Sequence, residues 1–234
     1  MNSNQTLSRI AGFSYLVVIV GIIFGEFFVR GKLIVWGDGS TTAQNILANE
    51  GLFRLGFVVD IIAEVGFLIV VLALYQLLKS VNRFYALLMV SCVFVTVAIK
   101  SLNMLNEYAV ILLLKGSDTY LSVLTEEQLY AQLMFYLQMH TTGFDLAYIF
   151  FGLWLLPLGY LIKKSHSERF SKILGSWLML TCFALLINFF TRFLYPEFYR
   201  DTIFWITGAI DSSEIVFCFW LLFKGVKVRT MEQA

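Results

Sequence analysis

Six stretches of the chain are each long and apolar enough to cross a lipid bilayer: roughly residues 10–28, 52–78, 84–114, 133–162, 173–195 and 202–223. A helix needs about 20 apolar residues to span a hydrocarbon core about 30 Å thick. Inside that core every backbone amide must find its partner within the protein. The expected fold is therefore all-α: a polytopic bundle of six transmembrane helices, forming one domain over residues 1–234. Composition agrees, since 59% of residues are hydrophobic and only 14% are charged. A soluble domain of this length needs more charge to cover its surface. The lipid bilayer is the partner this composition names. A net charge of +1 gives no case for nucleic acid, and two His with three Cys are too few for a cysteine–histidine metal cluster. The first stretch is read as a retained helix rather than a signal peptide. Its apolar run is too long, and FFVRGK stands where a small-residue cleavage site would be expected.

Basic residues set the expected orientation. Arg9, Lys79, Arg83, Lys163, Lys164, Arg169, Lys172, Lys224, Lys227 and Arg229 flank one set of helix ends. Arg30, Lys32, Arg54, Lys115, Arg192 and Arg200 flank the other. Ten against six places the first set in the cytoplasm. Both termini are then cytoplasmic, as an even number of spans requires.

The loops carry local signals. Thr41 and Gln44 have capping-box spacing, which predicts a short surface helix near residues 42–49. Thr125 and Gln128 repeat the pattern, so the fourth helix is expected to start outside the apolar core. Pro157 is expected to kink that helix, and Pro196 to stop the fifth. Gly21 and Gly25 form a GxxxG, a spacing that lets a second helix approach closely within the bundle. Cys92, Cys182 and Cys218 fall in apolar helices and read as small packing residues.

The polar residues inside the helices are the most informative. Measured from the inner apolar ends, Glu26, Asp60, Glu64, Lys100, Asn103, Asp145, Asn188, Arg192, Asp211 and Glu214 lie about 14–28 Å up a core about 30 Å thick. Glu107 and His140 lie just above that band. Every helix contributes, while the inner third is nearly free of charge and offers no continuous polar path. A charge facing lipid near the bilayer centre costs a few kcal/mol, so groups at one depth are cheaper facing each other or water. Helical spacing supports this. Asp60 and Glu64 are i, i+4, and Lys100, Asn103 and Glu107 share a stripe. So do Asn188 with Arg192, and Asp211 with Glu214. These residues are expected to line an acidic polar cavity open to the outer side. Six carboxylates, Glu26, Asp60, Glu64, Asp145, Asp211 and Glu214, face two fixed cations, Lys100 and Arg192. Full ionisation would leave four uncompensated negative charges, which favours bound cations or protons. Lys100 is expected to pair with Asp60, Glu64 or Glu107.

Three functions compete. The first is a binding protein for a cation, protons or a small polar ligand. The second is an intramembrane metal-dependent hydrolase acting on a lipid, with carboxylates and His140 as ligands. The third is a structural or assembly protein whose polar network only fixes helix packing. No HExxH, nucleophile elbow or P-loop is present, which weighs against an enzyme. The sequence specifies no cofactor, ligand or oligomeric state.

Four segments, SRIAGFSYLVVIVGIIFGEFFVRG, GDGSTTAQNILANEGLFRLG, LYQLLKSVNR and HTTGFDLAYIFFGLWLLPLGYLIKK, occur in an order that resembles a bacterial membrane family. That family is catalogued as domain of unknown function 4386. The resemblance runs from about Leu7 to Gly225. It implies a six-helix integral protein of the prokaryotic cytoplasmic membrane, supplies no activity or catalytic residue, and draws attention to His140.

Overall fold

The computed structural model describes residues 3–116, 121–198, 210 and 212–226. Regular structure among the described residues is helical throughout. The chain runs through α1 (Ser3–Ile23), a π-helical segment Phe24–Arg30, α2 (Gly31–Leu33), α3 (Gly39–Ala48), α4 (Glu50–Leu78) and α5 (Arg83–Gly116). It continues through α6 (Glu126–Ser165), α7 (Arg169–Leu194), α8 (Pro196–Phe198) and α9 (Ser213–Phe223). Among the described residues five helices are long and apolar enough to cross a membrane: Asn4–Leu33, which takes in α1, the π segment and α2, then α4, α5, α6 and α7. The sixth expected stretch is represented by α9, which is apolar but 11 residues long. Its beginning at Thr202, and Asp211 within it, lie outside the described residues.

Exposed side chains fit a lipid environment. Leu55, Val58, Ile62 and Val65 on α4, and Leu102 and Leu105 on α5, are all exposed. So much outward apolar surface would drive association in water but meets acyl chains without penalty. The same two helices bury Asp60, Glu64, Lys100, Asn103 and Glu107. The chain thus has the makeup of a multi-pass integral membrane protein.

Several boundaries differ from expectation. The first helix does not end near Phe28 but continues to Leu33. Gly31 keeps helical dihedrals (φ −62°, ψ −22°), and its N–H donates to the carbonyls of Glu26 and Val29. The first of these is a five-residue π bond, so VRGK is a widened helical turn and not the start of a loop. At α6 the capping box forms. Thr125 N–H donates to Gln128 Oε1 at 3.0 Å, and Gln128 N–H to Thr125 Oγ at 3.3 Å. Pro157 lies inside α6 with helix on both sides.

The surface helix is present, yet its cap is Asp38 rather than Thr41. Asp38 is extended (φ −126°, ψ 90°), and Gly37 before it turns the chain at φ +89°. Asp38 Oδ1 accepts from Thr41 N–H at 2.9 Å and Oδ2 from the Thr41 hydroxyl at 2.6 Å. The hydroxyl bond, followed by the backbone bond, holds the Asp38 carboxyl below its ordinary range.

The chain divides into two compact units. One comprises Met1–Val17, Gly66–Val97 and Asp145–Ala234. Its core carries an aromatic cluster in which Tyr15 packs with Phe67, Trp154 and Phe217 at centroid distances of 6.3, 6.1 and 6.3 Å. Gly12 allows close approach of α9, since a Cβ there would lie 2.8 Å from Leu222 Cγ. Cys92, Cys182 and Cys218 are buried in this unit and unbridged.

The other unit comprises Val18–Val65 and Ala98–Phe144. Val29, Leu33, Ala43, Ile46, Phe53, Val110, Leu133 and Leu137 form its apolar core. The GxxxG glycines act within this unit. A Cβ on Gly21 would lie 3.2 Å from Ala63 Cβ on α4, and one on Gly25 would lie 2.5 Å from Arg30 Nη2 and 2.7 Å from Asp60 Oδ1. The small residues let α1 and α4 meet closely, and at Gly25 they make room for charge.

Candidate functional site: a buried charged centre

Arg30 is the hub of the second unit. Its Nη1 donates to Asp60 Oδ2 at 2.6 Å and approaches Glu107 Oε1 at 3.5 Å. Its Nε donates to Glu26 Oε1 at 3.1 Å. One guanidinium therefore serves three carboxylates, a task its planar fork of donors suits. Asp60 and Glu107 are buried, and the Glu26 side chain is 53% exposed. The π turn carries both Glu26 and Arg30, so a distortion of the first helix positions the hub.

A second ion pair lies one turn along α4. Lys100 Nζ is 3.2 Å from Glu64 Oε1, both side chains being buried. The expected pairing of Lys100 with an acid of the second spanning helix is thus present. The ammonium also lies 5.2 Å from the Phe144 ring centroid, within cation–π range.

The third element joins α5 to α6. Asn103 Nδ2 donates to the backbone carbonyl of His140 at 2.7 Å, and Asn106 Nδ2 donates to Asn103 Oδ1 at 2.9 Å. Gly143 is required here, because a Cβ would collide with the Asn103 amide. Above this contact His140 Nε2 stands 3.8 Å from Glu107 Oε2. His140 is 2% exposed and Glu107 0%. Among the described residues neither ring nitrogen of His140, nor Glu107 Oε2, nor Glu64 Oε2, has a hydrogen-bond partner. Buried polar atoms are almost always satisfied, so four such atoms in one cluster mark it out.

Of the residues expected to form a polar cavity, this unit gathers Glu26, Asp60, Glu64, Lys100, Asn103 and Glu107, with His140 beside them. Asp145, Asn188, Arg192 and Glu214 belong to the other unit. There Arg192 Nη1 donates to Asp145 Oδ1 at 2.7 Å, and the Tyr15 hydroxyl donates to Glu214. Asp211 lies outside the described residues. Among the described residues no three His, Cys, Asp or Glu side chains cluster as metal ligands.

A family model described as a domain of unknown function, DUF4386, matches residues 10–225. The chain belongs to that family. No curated protein matches it, and no solved structure does. The match takes in the whole charged centre of this DUF4386 chain, from Glu26 to His140.

Sequence reasoning missed Arg30, counting it as a loop charge on the outer side. The signal was the i, i+4 spacing of Glu26 and Arg30, which is readable only if the helix continues past Phe28. With Arg30 in the centre, the second set of basic helix ends falls from six to five. The charge count of the centre also changes. Four acids, Glu26, Asp60, Glu64 and Glu107, now face Arg30 and Lys100.

Proposed function

We propose that this DUF4386 protein is a six-span membrane protein, with both termini cytoplasmic, whose charged centre reversibly binds a small cationic or hydrogen-bond-donating species from the outer side. One observation carries the reading: Glu107 Oε2 and Glu64 Oε2 are buried acceptors without donors among the described residues, in a cluster where acids outnumber fixed cations. What the cluster lacks is positive charge or protons, not more acceptors. A purely structural network gains nothing from leaving carboxylate oxygens unsatisfied, since each costs about 1–3 kcal/mol or more. A lipid hydrolase would need three or four ligands converging on a metal, and His140 with Glu107 supplies a pair.

Thermal unfolding of the full chain in detergent tests the reading. Melting temperature is followed against pH and against sodium, potassium and ammonium chloride at constant ionic strength. Binding predicts that one of these variables raises it and that Glu107→Gln removes the response. A melting temperature indifferent to all of them would leave the network a packing device.

A further inference from the structure

The three buried acids of the centre, Asp60, Glu64 and Glu107, stand against two buried fixed cations, Arg30 and Lys100. One carboxylate is left over. Its place is fixed by the hydrogen bonds. Asp60 has Arg30 at 2.6 Å and Glu64 has Lys100 at 3.2 Å, whereas the one fixed cation at Glu107 among the described residues is Arg30, at a longer 3.5 Å. Its other oxygen, Oε2, is unsatisfied among the described residues and faces an equally unsatisfied imidazole nitrogen at 3.8 Å.

We propose that the species held by the centre is a single exchangeable proton shared between Glu107 Oε2 and His140 Nε2, a reading that rests on the binding function above. The distance selects the proton over a larger guest. A water or an ammonium seated in line between two acceptors needs about 5.6 Å, two hydrogen bonds end to end. Closing the observed gap to an ordinary hydrogen bond takes a movement of only about 1 Å. The charges then balance. With the proton, the pair is neutral whether written as carboxylic acid with imidazole or carboxylate with imidazolium, and the two belong to one coupled titration. Asp60 and Glu64 offset Arg30 and Lys100.

Loss of the proton to solvent leaves one buried negative charge on Glu107. Around it stand Arg30 and Glu26 from the first helix, Asp60 from α4 and His140 from α6, with Asn103 one turn and Lys100 two turns earlier on its own helix. Arg30 is the cation already in contact, so the deprotonated carboxylate draws on a guanidinium that Asp60 and Glu26 also hold. The protonation state of the pair thereby sets how Arg30 is divided among its acids. Glu26, half exposed, is the member of this set that reaches the surface.

Ring-nitrogen NMR on full-length protein labelled with 15N-histidine tests this. His166→Asn leaves His140 as the chain's single histidine, and if that variant fails to fold, the native chain gives two signal sets for the same titration. The expected result is one ring titration accompanied by uptake of one proton per chain. Its midpoint is moved at least tenfold in proton concentration, or abolished, by Glu107→Gln. Infrared detection of a carboxylic acid that disappears over the same pH range supports the pair without any substitution. If the ring responds to sodium, potassium or ammonium at fixed pH but does not titrate, a heavier cation is the guest. The proton is then refuted while the binding function stands. If it responds to neither, both fall.

Discussion

Arg30 Nη1 lies 2.6 Å from Asp60 Oδ2, and the same nitrogen is 3.5 Å from Glu107 Oε1. A single buried guanidinium thus joins a helix distorted into a π turn to the next two spanning helices. Removing one member of a buried ion pair costs about 3–5 kcal/mol, because the other charge is stranded. Arg30→Met strands two, and is expected to lower the melting temperature more than any other single substitution in the centre. Arg30→Lys supplies the charge without the fork and should fall between. Thermal unfolding in detergent ranks the three proteins; a variant as stable as the parent would remove Arg30 from its place as hub.

Lys100→Met is expected to destabilise by a few kcal/mol through Glu64, whose carboxylate then lacks its ammonium at 3.2 Å. Adding Glu64→Gln should restore much of the loss, since a neutral amide in that place is far cheaper to bury. A double-mutant cycle measures the coupling. Additive losses would mean that the two side chains do not act as a pair.

Gly143→Ala drives a methyl group into the Asn103 amide. Overpacking of this kind costs about 1–3 kcal/mol, and the damage should be relieved by Asn103→Ala in the same chain. Gly21→Ala, whose new carbon would meet Ala63 Cβ at 3.2 Å, calls for a much smaller adjustment. If Gly143→Ala proves the milder of the two, the Asn103–His140 contact is softer than its 2.7 Å hydrogen bond implies.

Asp38 supplies a pH dependence. Its folded carboxyl is held below the ordinary range by the Thr41 hydroxyl and then the Thr41 amide. Its capping contribution is therefore complete above the unfolded-state pKa and disappears as pH falls through the lower, folded value. Protection of the first-turn amides of α3, taken relative to the intrinsic exchange rate at each pH, should fall on acidification. In Asp38→Asn, whose side-chain oxygen still caps but does not titrate, that loss of protection should vanish. Equal acid sensitivity in the two proteins would assign it to another group.

Most of the helices were legible because hydropathy and length are local properties. The inward stripe on α5 was legible as well: Lys100, Asn103 and Glu107 recur at helical spacing, and all are buried while Leu102 and Leu105 are exposed. The continuation of the first helix was not, since glycine and charge in VRGK are ordinary loop signals and a π turn has no local signature of its own. Arg30 was lost with it. The choice of Asp38 over Thr41 as cap depends on the backbone at Gly37, which composition alone does not fix. Helical spacing shows which residues share a face, but which faces meet is decided by packing. The division of the polar residues between two units was therefore beyond the reach of counting along the helices.

The widened turn at Phe24–Arg30 gives this segment an unusual sensitivity to chain length. Each residue of an α-helix advances the azimuth by about 100°. Dropping one of the residues between Glu26 and Arg30 would let the segment relax into an ordinary α-helix. The hydropathy and the reach of the span would be nearly unaltered. Yet Glu26 and Arg30 would change azimuth relative to one another, and the guanidinium would be carried away from Asp60 and Glu107. A one-residue deletion in a loop is usually forgiven; here it would spare the membrane anchor and dismantle the chemistry it holds.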